Sequence, residues 1–164
     1  GHLYSRQQHE TARLVAEAVR GPRARFDLVW QSRSGPAQVP WLEPDVNDHL
    51  RALAAGGARD VVLAPTGFVS DHLEVRWDLD HEARATAAEL GLRLVRAETA
   101  GTHPDFVAAV RELVQERLGA GVRRAVGPMG PSWDTCPWER GCCQPGRRPA
   151  RGFDRSGGLP PPAG

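Results

Sequence analysis

The sequence predicts an α/β domain built on an open parallel sheet with helices on both faces. Three observations lead there. Short apolar runs of strand type alternate with longer stretches of helical spacing, which is the pattern of βαβ units. The clearest run, Val61-Val62-Leu63-Ala64, is apolar at successive positions, as in a strand buried on both sides. The 164 residues are 40% hydrophobic and 25% charged, which excludes a disordered or collagen-like chain and suits one domain of modest size.

The elements follow in order. Leu3, Leu14, Val15, Ala18 and Val19 are spaced for a helix over 3–19, stopped by Gly21-Pro22. Phe26 to Trp30 reads as a first strand. Asp45 is placed as an N-cap, with Leu50, Leu53 and Ala54 on one face and Gly56-Gly57 at the end. Asp60 to Pro65 is the second strand. Ser70 is expected to cap a helix running to about Leu90, closed by Gly91, and Leu92 to Val95 is the third strand. Thr102 is expected to cap the last helix, with Pro104 in its first turn and Asp105 complementing the dipole. Three strands make a thin sheet, and the leading helix has no strand before it. An earlier strand is therefore expected upstream of residue 1.

Composition divides the chain into residues 1–124, the α/β domain, and residues 125–164, a tail of Gly, Pro, Arg, Trp and Cys. The tail beyond about residue 145 has too little apolar content to order itself. All 21 basic residues are arginine, and isoleucine is absent too. No lysine nucleophile, Schiff base or P-loop lysine is therefore available. The net charge of +1 gives no electrostatic footprint for nucleic acid. No stretch approaches the roughly 20 apolar residues of a membrane span. The opening Gly1-His2-Leu3 shows neither an initiator Met nor a signal peptide, so the chain is expected to be the interior of a longer, cytoplasmic protein.

Ligands of open α/β sheets bind beyond the carboxyl ends of the strands. Here those ends are Trp30-Gln31-Ser32, Ala64-Pro65-Thr66-Gly67 and Arg96-Ala97-Glu98. After the second strand, His72 and Glu74 lie two residues apart at a strand-to-helix junction, which suits a divalent cation or proton transfer. Glu74, Asp78 and Glu82 then recur every four residues, a ladder along one helix face. The same spacing also describes a solvated acidic face with Arg76 and Arg84 as partners. Trp30 and Trp41 flank a Gly/Pro-rich loop and suit stacking on a large flat ligand, with a hydrophobic lid for the core as the alternative for Trp41. Cys136, Cys142 and Cys143 lie within eight residues, which reads as metal or cluster binding before disulfide, although such sites usually take four ligands.

Together these stretches resemble the C-terminal half of ferrochelatases, enzymes that insert ferrous iron into a porphyrin. The resemblance rests on Val29-Trp30-Gln31-Ser32, on Pro40-Trp41-Leu42-Glu43-Pro44, and on Pro65-Thr66-Gly67-Phe68-Val69-Ser70-Asp71-His72-Leu73-Glu74. Trp77-Asp78-Leu79-Asp80-His81-Glu82 continues it, and the likeness covers about residues 1–118. It implies a chelatase-like fold, one half of a two-domain enzyme lacking its first strand. It implies Glu74 as the active-site carboxylate that binds iron or accepts a proton, with His72 beside it. Asp71, Asp78 and Glu82 would extend an acidic path for the metal, and Trp30, Ser32 and Trp41 would line the substrate. Gly1-His2-Leu3-Tyr4 is similar to the end of the family's catalytic-histidine segment, which puts that histidine just before residue 1 and leaves the fragment alone inactive.

The lysine-free, Arg/Ala-rich composition resembles actinobacterial members, which implies coproporphyrin III rather than protoporphyrin IX as the porphyrin. It also implies a [2Fe-2S] cluster held by Cys136, Cys142 and Cys143, with a fourth ligand from the missing upstream region. Two alternatives stand beside this reading. One is a cobalt chelatase of the same fold. The other is a non-catalytic metal- or iron–sulfur-binding module built on the cysteine tail.

Overall fold

A computed structural model describes residues 2–33, 35, 36 and 38–131. Helix α1 (His2–Arg20) comes first, then α2 (Val46–Ala55), strand β1 (Asp60–Leu63), helix α3, strand β2 (Arg93–Arg96) and helix α4 (Pro104–Arg117). Helix α3 has three consecutive parts: a turn Leu73–Val75, a π-helical stretch Arg76–Ala83 and an α-helical end Arg84–Glu89. The strands are parallel, with Asp60 opposite Arg93 and Leu63 opposite Arg96. Helix α3 is thus the crossover of a βαβ unit. Among the described residues no helix is long and apolar enough to cross a membrane.

The core forms where α2 and α3 cover one face of the sheet. It contains Val46 and Leu50 from α2, Val75, Leu79, Ala83 and Ala87 from α3, and Leu92, with Val61, Leu63 and Leu94 of the strands packed against it. Side chains alternate along the strands, so Val62 and Val95 point to the other face, where they are exposed. Strand β1 is therefore not buried on both sides as its apolar run suggested, because among the described residues no element packed on the core covers that face.

The buried apolar positions of α3 recur every four residues, with Thr86 buried beside the last of them. In an α-helix of 3.6 residues per turn, such a repeat drifts around the axis by about 40° at each step. A π turn is wider, closing i→i+5 bonds. Across Arg76–Ala83 it turns that drift back, so Val75, Leu79 and Ala83 all stay on the core. The helix then ends on Gly91 (φ +68°), whose amide donates to Ala88 O while Leu92 N donates to Ala87 O. The left-handed turn suits glycine, and it delivers Leu92 into the core.

Three further expectations need correction. Phe26–Trp30 is not a strand; its ladder is a single parallel bridge between Trp30 and Asp45. Trp30 N donates to Pro44 O and Val46 N donates to Trp30 O. The facing corner cannot continue the ladder, because Pro44 has no N–H and the chain enters α2 at Val46. Second, α3 starts after His72 rather than Ser70. Residues 69–72 are held out of the helix by loop contacts, among them Gly101 N donating to Val69 O (2.7 Å). Third, His103 rather than Thr102 caps α4, its Nδ1 accepting from Asp105 N. Pro104 forces the residue before it out of helical geometry, so the cap must be His103. The Asp45 cap of α2 is as expected, its carboxylate accepting from Asn47 N at 2.8 Å. The tail with Cys136, Cys142 and Cys143 lies outside the described residues.

Candidate metal and porphyrin site

The site residues sit at the carboxyl end of the sheet. The turn Pro65–Phe68, closed by Phe68 N donating to Pro65 O, leads the chain from β1 to the start of α3. His72 occupies the N-cap position without capping, and its ring lies edge-on to Phe68 at 4.8 Å. Glu74 follows in the first turn, exposed. A carboxylate there is favoured by the helix dipole.

The carboxylates Glu74, Asp78 and Glu82 each precede a buried core residue, Val75, Leu79 and Ala83. The π stretch that keeps the core residues on one face does the same for the ladder. Neutral donors orient two of its members. Ser32 Oγ makes a short hydrogen bond to Asp78 Oδ2. Trp77 Nε1 donates to Glu82 Oε1 at 3.2 Å, a contact across five residues that the π geometry brings together. The Trp77 indole also packs on the His81 ring at 4.6 Å. Ser32 adopts φ +60°, a left-handed conformation uncommon outside glycine. Such conformations are retained where surrounding contacts impose them, often at functional sites.

Asp71 and Asp80 are placed differently. Both carboxylates are bound by the guanidinium of Arg96, at the end of β2. Arg96 holds the Asp80 carboxyl below its ordinary range against the opposing effect of burial. Burial pushes Asp71 upward, but hydrogen bonds from Arg96 and Thr99 outweigh it and the net shift is downward. The structure therefore separates Asp71, engaged by a cation, from the Glu74–Asp78–Glu82 face, where Asp78 and Glu82 accept from neutral donors.

Trp30 lies 5.7 Å from the Tyr4 ring and lines a cavity of about 440 Å³ with Ser5, Arg6, His9, Leu28, Leu42 and Glu43. Trp41 is 38% exposed and donates through Nε1 to Gln31 O at 3.4 Å, so it is not a core lid. Among the described residues no three His, Cys, Asp or Glu side chains gather as a ready metal-holding group. Sequence reasoning met Arg96, Trp77 and Asp80 within its motifs but gave them no role. The four-residue apolar repeat 75, 79, 83, 87 was the available signal for the π stretch, and with it for the Trp77–Glu82 contact.

The family model described as ferrochelatase matches residues 1–118. The chain belongs to the ferrochelatase family. It is 55% identical over 153 residues to a coproporphyrin III ferrochelatase of Nocardia farcinica, covering 92% of this chain and 43% of that one. Identity is 51% over 157 residues to a coproporphyrin III ferrochelatase of Streptomyces griseus, covering 91% and 41%. It is 45% over 152 residues to one of Corynebacterium diphtheriae, again covering 91% and 41%. The chain thus spans about two-fifths of the length of these ferrochelatases. A match over 92% of 164 residues necessarily takes in Cys136, Cys142 and Cys143 as well as the α/β domain.

Proposed function

We propose that this chain is the iron-handling part of a ferrochelatase that inserts Fe²⁺ into coproporphyrin III for haem synthesis. The observation that carries the reading is the row Glu74, Asp78, Glu82, held on one face by the π stretch and supported by Ser32 and Trp77. The names of the relatives favour iron and coproporphyrin III over cobalt and a sirohydrochlorin-type ring.

Insertion forms four iron–nitrogen bonds and releases two pyrrole protons. Carboxylate oxygens are hard ligands that bind Fe²⁺ yet release it to the macrocycle nitrogens. Glu74 binds the arriving ion or accepts a proton, and the imidazole of His72 beside it offers a second base for a pyrrole proton. Asp78 and Glu82 pass iron or protons along the face. The exposed indole of Trp41 and the ring of Trp30 offer apolar surface for a macrocycle, and Ser32 ties their loop to the metal face. Asp71 belongs to the support of this face rather than to the path. No redox change occurs in the step.

Cys136, Cys142 and Cys143 would supply three thiolates to a [2Fe-2S] cluster, whose fourth ligand would come from the rest of the longer enzyme. Closely spaced cysteines suit such ligation. Three cysteines in a run of eight residues also suit a reducing compartment, the cytoplasm. Visible and Mössbauer spectra of the anaerobically purified full-length protein test the cluster, and a cluster-free, zinc-free protein removes it.

The activity test uses the full-length protein under anaerobic conditions with Fe²⁺ and either porphyrin. Faster turnover of coproporphyrin III is expected. A preference for protoporphyrin IX overturns the substrate assignment, and the absence of metallation overturns the activity.

A further inference from the structure

The structure assigns Arg96 as a positioning residue for iron delivery, a role that rests on the ferrochelatase reading and deepens it. One guanidinium bridges two carboxylates nine residues apart. Arg96 Nη1 donates to Asp71 Oδ1 at 2.9 Å. Its Nε donates to Asp80 Oδ1 at 2.6 Å and its Nη2 to Asp80 Oδ2 at 2.9 Å, a bidentate fork. Asp71 lies in the loop immediately before His72 and Glu74, and Asp80 lies in the π stretch between Asp78 and Glu82. Arg96 thus joins the two pieces of chain that carry the proposed iron ligands, from a fixed point at the end of β2.

The arrangement is protected. The Arg96 side chain is only 9% exposed, and those of Asp80 and Asp71 are 17% and 22% exposed. Arg76 and Arg84 approach Asp80 from its own helix at 3.9 and 3.8 Å, but both are largely exposed and hold one end only. Neither can replace a group that reaches Asp71 as well. The same loop is braced by Gly101 N donating to Val69 O. That bond and the Thr99 hydrogen bonds to Asp71 brace the loop itself, while Arg96 ties Asp71 across to Asp80 of the π stretch. Lysine cannot reproduce the link, because an ammonium is a point charge without the planar fork.

The role predicts a specific kinetic signature. Residues that orient metal ligands typically change metal affinity by about 10- to 100-fold when removed. Arg96→Lys and Arg96→Gln in the full-length enzyme are expected to raise KM for Fe²⁺ by about that factor. Porphyrin affinity, read by fluorescence quenching, stays unchanged, because the Arg96 guanidinium is engaged by Asp71, Asp80 and Ala97 O. Arg93→Gln is the control and leaves KM unaltered: Arg93 shares β2 with Arg96 and makes an exposed pair with Asp60 of β1.

A merely structural Arg96 gives a lower melting temperature and a smaller active fraction at unchanged KM for iron, and that result overturns the inference. Should Arg96→Gln fail to fold, Arg96→Lys and Asp80→Asn carry the same comparison. The wild-type and Glu74→Gln arms separate the two levels. An active wild type, a disabled Glu74→Gln and an unchanged KM in the Arg96 variants refute only the positioning role. A wild type without iron insertion refutes the ferrochelatase reading and the positioning role with it.

Discussion

Leu79→Ala tests how the π stretch is held. Leu79 is 1% exposed and sits between Val75 and Ala83 on the buried face of α3. The substitution removes three carbons, which at about 0.8 kcal/mol per buried CH₂ amounts to about 2.4 kcal/mol of lost transfer energy. A cavity term adds to this, and buried Leu→Ala changes span about 2.7–5 kcal/mol in total. The neighbours Ala83 and Ala87 are too small to fill the space, which places the expected loss at about 3–4 kcal/mol. The assay is urea unfolding of the full-length enzyme followed by far-ultraviolet circular dichroism. The midpoint should fall with little change in m. Leu90→Ala, at a residue that is 36% exposed, is the comparison. Equal losses for the two variants would refute the packing argument for the π stretch.

Further outcomes follow from single residues. Gly91→Ala places a Cβ at φ +68° and should destabilise by about 1–2 kcal/mol, measured by the same unfolding experiment. A hydrogen bond from Arg13 lowers the Glu10 carboxyl, so its ¹³C resonance should titrate below the ordinary glutamate value, and Arg13→Met should return it there. Because the folded value is depressed, the pair's contribution is complete above about pH 4.3 and is lost as pH falls through the folded value. A loss that instead sets in as pH rises would contradict the assignment. Ser32→Ala removes the hydroxyl that holds Asp78 and should raise KM for Fe²⁺ more than KM for porphyrin; equal changes in the two would count against the link.

Much of the fold was legible because local chemistry settles it. Asp45 caps α2, Gly91 ends α3 and the run at Val61–Leu63 forms a strand, all as side-chain pattern dictates. Phe26–Trp30 has strand composition, but a ladder needs a partner, and Pro44 and α2 leave room for one bridge. Periodicity identified the ladder Glu74, Asp78, Glu82 but assumed an α-helix. Only the packing of Val75, Leu79 and Ala83 reveals why a wider turn is needed. Asp71 looked equivalent to its acidic neighbours because its partner, Arg96, is 25 residues away at the end of β2. Spacing cannot distinguish a paired carboxylate from an available one when the pairing cation is distant in sequence.

The central claim is that the face led by Glu74 handles iron. The direct measurement is the anaerobic rate of Fe²⁺ insertion into coproporphyrin III by the full-length enzyme carrying Glu74→Gln. Loss of a group that acts in proton transfer costs about 10²- to 10⁴-fold. The account predicts a fall of at least about 100-fold with coproporphyrin III still bound. An unchanged insertion rate in a folded, porphyrin-binding variant would contradict it.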